Sequence, residues 1–304
     1  MEIGESVVVP PGPGDGHPEG CLFCKESPRE LKNYKTKHGE LKDEGVLEKS
    51  LWSKEPLISN DKKVGPLYPL SGGNDQTTGW TAKPGALEEF EVNMSAAPHH
   101  IIPGNAAMAP SSLETWTRAD KGKIKQDIGY TIDGALNGIF LPHLPEIYWT
   151  KRIEHHGRKI PMAEYYGQKW LTLSEGSKQS IGFLIMRETY LQMHYTDHSA
   201  PYDAGSPLSY DDETKTACNR LGDLMENFSR ACERSKDADD GKHYPPYALV
   251  HRINLASERF RSRITGRPDS WKSWVSPLAR SLTRAALTGQ ESLNQKLLIS
   301  RKYR

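Results

Sequence analysis

Eleven histidines occur in the 304-residue chain, and four of them fall in pairs whose spacing has mechanical meaning. His99 and His100 are adjacent. On a strand, neighbouring side chains point to opposite faces, so one ring can ligate a metal while the other does separate work. His194 and His198 stand at i and i+4, which on a helix places both imidazoles on one face, as in helical zinc sites. A histidine near neutrality can also take a proton from water at physiological pH. Asn137-Gly138, followed by Leu141-Pro142, reads as a tight turn. A further pair, His155-His156, lacks the Ile-Ile-Pro-Gly-Asn continuation that follows His100, and reads as a surface turn. Near the start, His17, Cys21 and Cys24 spell H-x-x-x-C-x-x-C, with His38 as a fourth candidate ligand. Two readings stand there: a structural zinc, which needs all four ligands, or a reduced thiol pair in a loop-rich arm.

His-His, then Asn, then His-x-x-x-His, in that order, resembles the layout of the HNH nucleases. The chain is most similar to the AHH branch of the HNH/endonuclease VII (ββα-metal) superfamily, found in bacterial polymorphic toxins and type VI secretion effectors. The residues that carry the resemblance are Ala97-Pro98-His99-His100-Ile101-Ile102-Pro103-Gly104-Asn105, then Ile128-Gly129-Tyr130 running through Asn137-Gly138-Ile139-Phe140-Leu141-Pro142, then Gln192-Met193-His194 to His198, with Tyr202 behind. They span about residues 90–204. Pro98 stands where the family has the alanine of its name, and an enlarged segment, 144–181, separates the asparagine motif from the last histidines.

The resemblance implies a β-hairpin that supplies the first histidines and a following helix that supplies the last, with one divalent ion between them. His100 would be the general base, His99, His194 and His198 the metal ligands, and Asn137 a support for the first strand or for His100. Mostly imidazole ligands suit zinc or nickel, with magnesium or manganese as candidates for supporting turnover. Arg187, seven residues before His194, is a candidate phosphate contact. The resemblance further implies a toxin made in the bacterial cytoplasm, exported without a cleavable signal and active in the target-cell cytoplasm. Its partners would be double-stranded DNA, a cognate immunity protein and a secretion-system spike or tube component.

The elements that must position these residues are legible as periodicities. Phe90–Met94 alternates like a short strand, and Pro103-Gly104 ends a β element at Ile101-Ile102. Three helical stripes follow: Phe183, Met186, Tyr190 and Met193, leading into His194; Ala217, Leu221, Leu224, Phe228 and Cys232; and Leu249, Ile253, Ala256, Phe260 and Ile264. Short helices are expected near Glu40–Leu51 and over 111–122, the second capped by Ser111 or Ser112. The fold class is therefore α+β, mainly helical with a small β element, and the resemblance implies that this element belongs to a small ββα-metal (HNH-type) hairpin-helix core with additional helices.

Residues 1–86 read as a loop-rich arm for delivery or partner binding, since the first 90 residues hold 9 Pro and 12 Gly. Residues 87–304 read as the nuclease domain, ending in a basic helical extension over 241–304. That extension holds 13 basic and 3 acidic residues, so the formal net charge of +1 conceals a basic tail on an acidic body. Arg252, Arg259 and Arg263 share one face of its helix and fit phosphate-backbone contact, with Arg261, Arg267 and Lys272 nearby. Tyr244, Tyr247, Trp271 and Trp274 either stack on bases or pack at helix ends. No run of about 18 apolar residues suits a membrane span. H-E-x-x-H is absent, which disfavours a metallopeptidase. The rival to the nuclease is a non-enzymatic, zinc-stabilised module that binds nucleic acid through its basic tail.

Overall fold

The computed structural model describes residues 21–23, 44–52, 57–59, 62–64, 80–82, 90–149, 153–155, 158–160, 168–169, 178, 182, 185–186, 190–194, 198–203, 208–232 and 241–287. His17, Cys24, His38 and Arg187 lie outside them. The architecture is mixed, with long helices and a small antiparallel sheet, as composition and periodicity predict. None of the described helices is long and apolar enough to cross a membrane.

The sheet centres on two long strands, β4 (Phe90–His100) and β5 (Gly138–Trp149). They pair antiparallel from Phe90↔Trp149 to His100↔Gly138, with a register irregularity between Asn93 and Ser95. Strand β3 (Trp80–Ala82) borders β4 over Val92–Met94, and β8 (Gln168–Lys169) borders β5 at Glu146 and Ile147. Pro98 lacks an N–H, yet it sits where β4 has β5 on one side and β3 no longer reaches the other, which is where a strand tolerates proline. The predicted strand is thus longer than its alternating stretch. It runs through the histidine pair, and Ile101 and Ile102 are buried bends beyond its end. Two small hairpins, β1 (Leu57–Ser59) with β2 (Lys62–Val64) and β6 (Ile153–His155) with β7 (Arg158–Ile160), complete the strands. His155 closes β6 opposite Arg158, and His156 lies outside the described residues.

The chain divides into two compact units. The first gathers described residues of 1–43, 102–133 and 211–257. Its core joins Leu113, Trp116, Ile124, Ile128, Tyr130 and Ile132 to helix α2 (Tyr210–Ala231) and the first part of helix α3 (Leu249–Ile264). Cys218, Met225, Phe228 and Cys232 are the most deeply buried residues of α2's stripe, with Leu221 and Leu224 packed beside them. Cys218 therefore occupies the place expected for Ala217. Helix α2 passes so close to Ser112 and Leu113 that a side chain at Gly222 would stand 2.6 Å from the Leu113 amide nitrogen. Ser112 contributes to that contact rather than capping a helix: its amide donates to Asn219 Oδ1 at 2.9 Å and its hydroxyl to the Asn219 carbonyl at 3.1 Å. The helix expected over 111–122 resolves into two single 3₁₀ turns, Ser112–Trp116 and Ala119–Lys121. Cys21, Leu22 and Phe23 join this core, and the Tyr247 amide donates to the Leu22 carbonyl at 2.7 Å. Part of the presumed arm is thus integral to the first unit.

The second unit gathers described residues of 44–101, 134–210 and 258–304, including the sheet, helix α1 (Glu44–Trp52) and helix α4 (Pro277–Leu287). Helix α1 lies within the predicted neighbourhood of Glu40–Leu51. It packs on the sheet rather than standing apart: Leu47 is fully buried, and a Cβ on Gly138 would come within 2.5 Å of Leu47 Cδ1. The basic extension is built in as well. Thr265 bridges Leu191, and the Gly266 amide donates to the Tyr190 carbonyl at 2.9 Å.

One predicted helix fails at its functional end. Residues 182, 185 and 186 are helical, but Tyr190 takes a left-handed φ of 58°, and Leu191 enters a bridge with Thr265. A left-handed residue ends a helix by turning its backbone groups out of the i→i−4 series. Residues 192–194 consequently run non-helical into His194.

Candidate metal centre

The pleat of β4 places His99 and His100 on opposite faces. Directly opposed residues in an antiparallel pair project to the same side, so His100 shares the face of Gly138 and hence of helix α1. His99, opposite Ile139 and 3% exposed, points the other way. There it meets His194 and His198. Ring centroids are 5.1 Å apart for His99–His194, 4.7 Å for His99–His198 and 4.8 Å for His194–His198.

The two later histidines arrive by a route different from the expected helical i, i+4 face. His194 is laid alongside β5, its amide donating to the Pro142 carbonyl at 2.8 Å, while His143 Nδ1 contacts the His194 carbonyl at 2.5 Å. His198 follows in a turn and is fixed by its Nδ1, 2.7 Å from the Val275 carbonyl. A carbonyl only accepts, so this nitrogen carries the proton and Nε2 carries the lone pair. That lone pair lies 2.9 Å from His194 Nε2.

One potential ligand atom from each ring lies within 4.8 Å of the others. Zinc–nitrogen bonds of about 2.0–2.1 Å in a tetrahedron require nitrogen–nitrogen edges of about 3.3 Å. That length falls between the closest approach and the outer limit seen here. His99 Nε2 is buried with no hydrogen-bond partner in the protein, a costly condition that a bound cation relieves. Burial, reinforced by the neighbouring His198, His194 and His100, holds the His99 pKa well below its ordinary value. Burial, then His198 and His143, lowers that of His194 to about 3. Both rings are therefore neutral near pH 7, as ligation requires. Three such ligands among the described residues could hold a divalent ion. Among the described residues no other cluster of three or more His, Cys, Asp or Glu offers ligands in this way.

One support, Tyr210, is a residue that periodicity and motif reading did not single out. Tyr210, the first residue of α2, is fully buried, with its ring 5.4 Å from His99 and 6.0 Å from His198. Its hydroxyl donates to the Ile101 carbonyl at 2.8 Å, which ties down the end of the histidine strand. Phe260 of α3 meets the Tyr210 ring edge-to-face at 6.2 Å. Asn137 is buried in the 3₁₀ turn Ala135–Asn137, and its backbone carbonyl accepts from the Ile101 amide at 2.8 Å. The turn expected at Asn137-Gly138 is therefore present, and it abuts the residue after His100.

Arg261 holds that turn from the outside. It is 7% exposed, and its Nη2 donates to the carbonyls of Leu136 at 2.9 Å, Gly138 at 3.1 Å and Ala135 at 3.4 Å, while Nη1 pairs with Glu258. It clamps the backbone of that turn. Arg259 is exposed, as a phosphate contact requires, whereas Arg252 and Arg263 are partly buried. Arg263 lies over the Phe260 ring at 5.3 Å and reaches the Lys272 carbonyl at 3.4 Å. Of the aromatics, Trp271 is buried, and Trp274 donates to Thr283 Oγ1 and sits 5.0 Å from Arg280. Tyr244 is 53% exposed. Cys21 is a buried free thiol in the first unit's core. Comparison with protein-family models, with curated proteins and with solved structures returns no match to this chain.

Proposed function

We propose that the chain is a metal-dependent endonuclease that hydrolyses phosphodiester bonds, with DNA as its substrate, after the manner of the AHH nucleases its motifs resemble. One observation carries the proposal: three imidazoles from β4 and the 194–198 segment converge with an orphaned nitrogen among them.

His99, His194 and His198 would hold a single divalent ion, which when bound supplies Lewis acidity at the phosphate and charge stabilisation at the leaving oxygen. His100 would take the proton of the attacking water, the task for which a histidine is suited near neutral pH. Asn137 and its turn would keep the end of β4 in place, through the backbone bond to Ile101. Exposed Arg259 would contact the phosphate backbone. With the toxin reading come an immunity protein and a secretion spike or tube component as partners.

The test is plasmid DNA incubated with purified protein and Mg²⁺, Mn²⁺, Ni²⁺ or Zn²⁺, with and without EDTA. Nicking that EDTA abolishes, and that His100→Ala loses, supports the nuclease. Binding without cleavage in every metal overturns it in favour of a zinc-stabilised nucleic-acid-binding module.

A further inference from the structure

The metal ligands are held by a shell of hydrogen bonds, and one member of that shell acts at a distance from the ligand it governs. Gln192 is fully buried two residues before His194. Both ends of its amide are engaged by a single stretch of the C-terminal segment. Nε2 donates to the Ser273 carbonyl at 2.7 Å, and Oε1 accepts from the Val275 amide at 2.8 Å. Donor meets acceptor at each end, so the opposite amide orientation would set donor against donor and acceptor against acceptor. The side chain thus fixes the Val275 amide, and the carbonyl of the same residue, across its Cα, is the group that receives His198 Nδ1.

We infer that Gln192 is a positioning residue for the metal centre, which sets the ligating tautomer of His198 through Val275. This rests on the reading of His99, His194 and His198 as metal ligands. The reasoning is electrostatic and geometric. Neutral imidazole has one N–H and one lone pair, and the hydrogen bond at one nitrogen decides which atom is left to ligate. A fixed acceptor at Nδ1 leaves the lone pair at Nε2, the atom that faces His194 Nε2 at 2.9 Å. A loose Val275 carbonyl would let His198 divide its population between tautomers, and only one of them presents the lone pair to the centre. Loss of such outer hydrogen bonds typically weakens metal binding by about ten- to a hundredfold. Neither Gln192 nor the 273–275 stretch touches the metal position in this account. Their contribution is orientation.

Two measurements test it. The first is the histidine tautomer in the metal-free wild-type protein, read from the ring ¹⁵N and ¹³C shifts. His198 is expected in the Nδ1–H form, and a dominant Nε2–H form overturns the inference without recourse to any variant. The second is zinc affinity by competition with a chromophoric chelator, in wild type and in Gln192→Met, which keeps the side-chain volume but cannot pair with Ser273 or Val275. The expected result is a Kd weakened by about ten- to a hundredfold, together with a mixed His198 tautomer. Unchanged affinity in Gln192→Met overturns the inference and leaves the metal centre standing. No zinc binding by the wild type overturns the metal centre itself and the inference with it. A weakened affinity with an unaltered tautomer assigns Gln192 a merely structural role and also overturns it.

Discussion

Arg261→Met asks whether the basic helix grips nucleic acid or holds the site together. The guanidinium is 7% exposed and donates to the Leu136 and Gly138 carbonyls at 2.9 and 3.1 Å, with a third, longer bond to Ala135. A hydrogen bond to a charged group contributes about 1.5–3 kcal/mol, so the two shorter bonds set an upper range of about 3–6 kcal/mol. Methionine recovers part of this by apolar burial, and water can reach the Leu136 carbonyl, whose residue is 47% exposed. The net expectation is a destabilisation of ~3 kcal/mol, about a hundredfold in the folding equilibrium. Arg259→Met, on the exposed side of the same helix, is the control and should stay within about 0.5 kcal/mol. Urea unfolding near neutral pH, followed by tryptophan fluorescence, measures both. The reasoning fails if Arg261→Met leaves stability at the level of Arg259→Met, or if it lowers DNA affinity while leaving stability untouched.

Other perturbations follow from the same geometry. His100→Ala should retain the metal and lose cleavage, whereas His194→Ala should lose the metal, both read by metal content alongside plasmid nicking. Gly138→Ala drives a methyl group to within 2.5 Å of Leu47 Cδ1 and should cost about 1–3 kcal/mol. Adding Leu47→Ala should make the pair less destabilised than the sum of the single changes, and strict additivity in a double-mutant cycle would count against the contact. Acid should also weaken the metal-free protein. His194 has an ordinary pKa of 6.5, lowered in the fold to about 3, and His99 is lowered as well. The unfolded chain therefore binds more protons between those limits, and stability present above pH about 6.5 is lost as pH falls towards about 3. Each histidine adds a slope of up to about 1.4 kcal/mol per pH unit. Thermal unfolding against pH, with EDTA present, should show the decline, and a flat profile across that window would contradict it.

The candidate ligands were legible in the sequence because their chemistry is carried by residue type and order. His99, His194 and His198 were named from spacing and resemblance, and the structure brings their rings together. The geometry that does so was not legible. An i, i+4 spacing predicts a shared helical face, but left-handed Tyr190 and the Leu191–Thr265 bridge break the helix before the first of the two. Both are tertiary outcomes that a hydrophobic stripe cannot report. The strand was underestimated for a related reason. Alternation marks only Phe90–Met94, and Pro98 sits past the stretch of β4 that β3 borders. Within the basic tail, charge counts do not distinguish exposed Arg259 from buried Arg261 on one helix. A carbonyl trio formed more than a hundred residues upstream decides between them. Val275 and Arg261, both in the basic extension, support the metal centre and the asparagine turn.

Cobalt(II) titration of the metal-free protein, followed by its visible d–d absorption, measures the three-histidine centre most directly. The account predicts saturation at one equivalent with an intense band of low-coordinate, nitrogen-ligated cobalt, abolished in His99→Ala, His194→Ala and His198→Ala and preserved in His100→Ala. A titration without saturation, or one that the His99 and His198 variants leave intact, would contradict it.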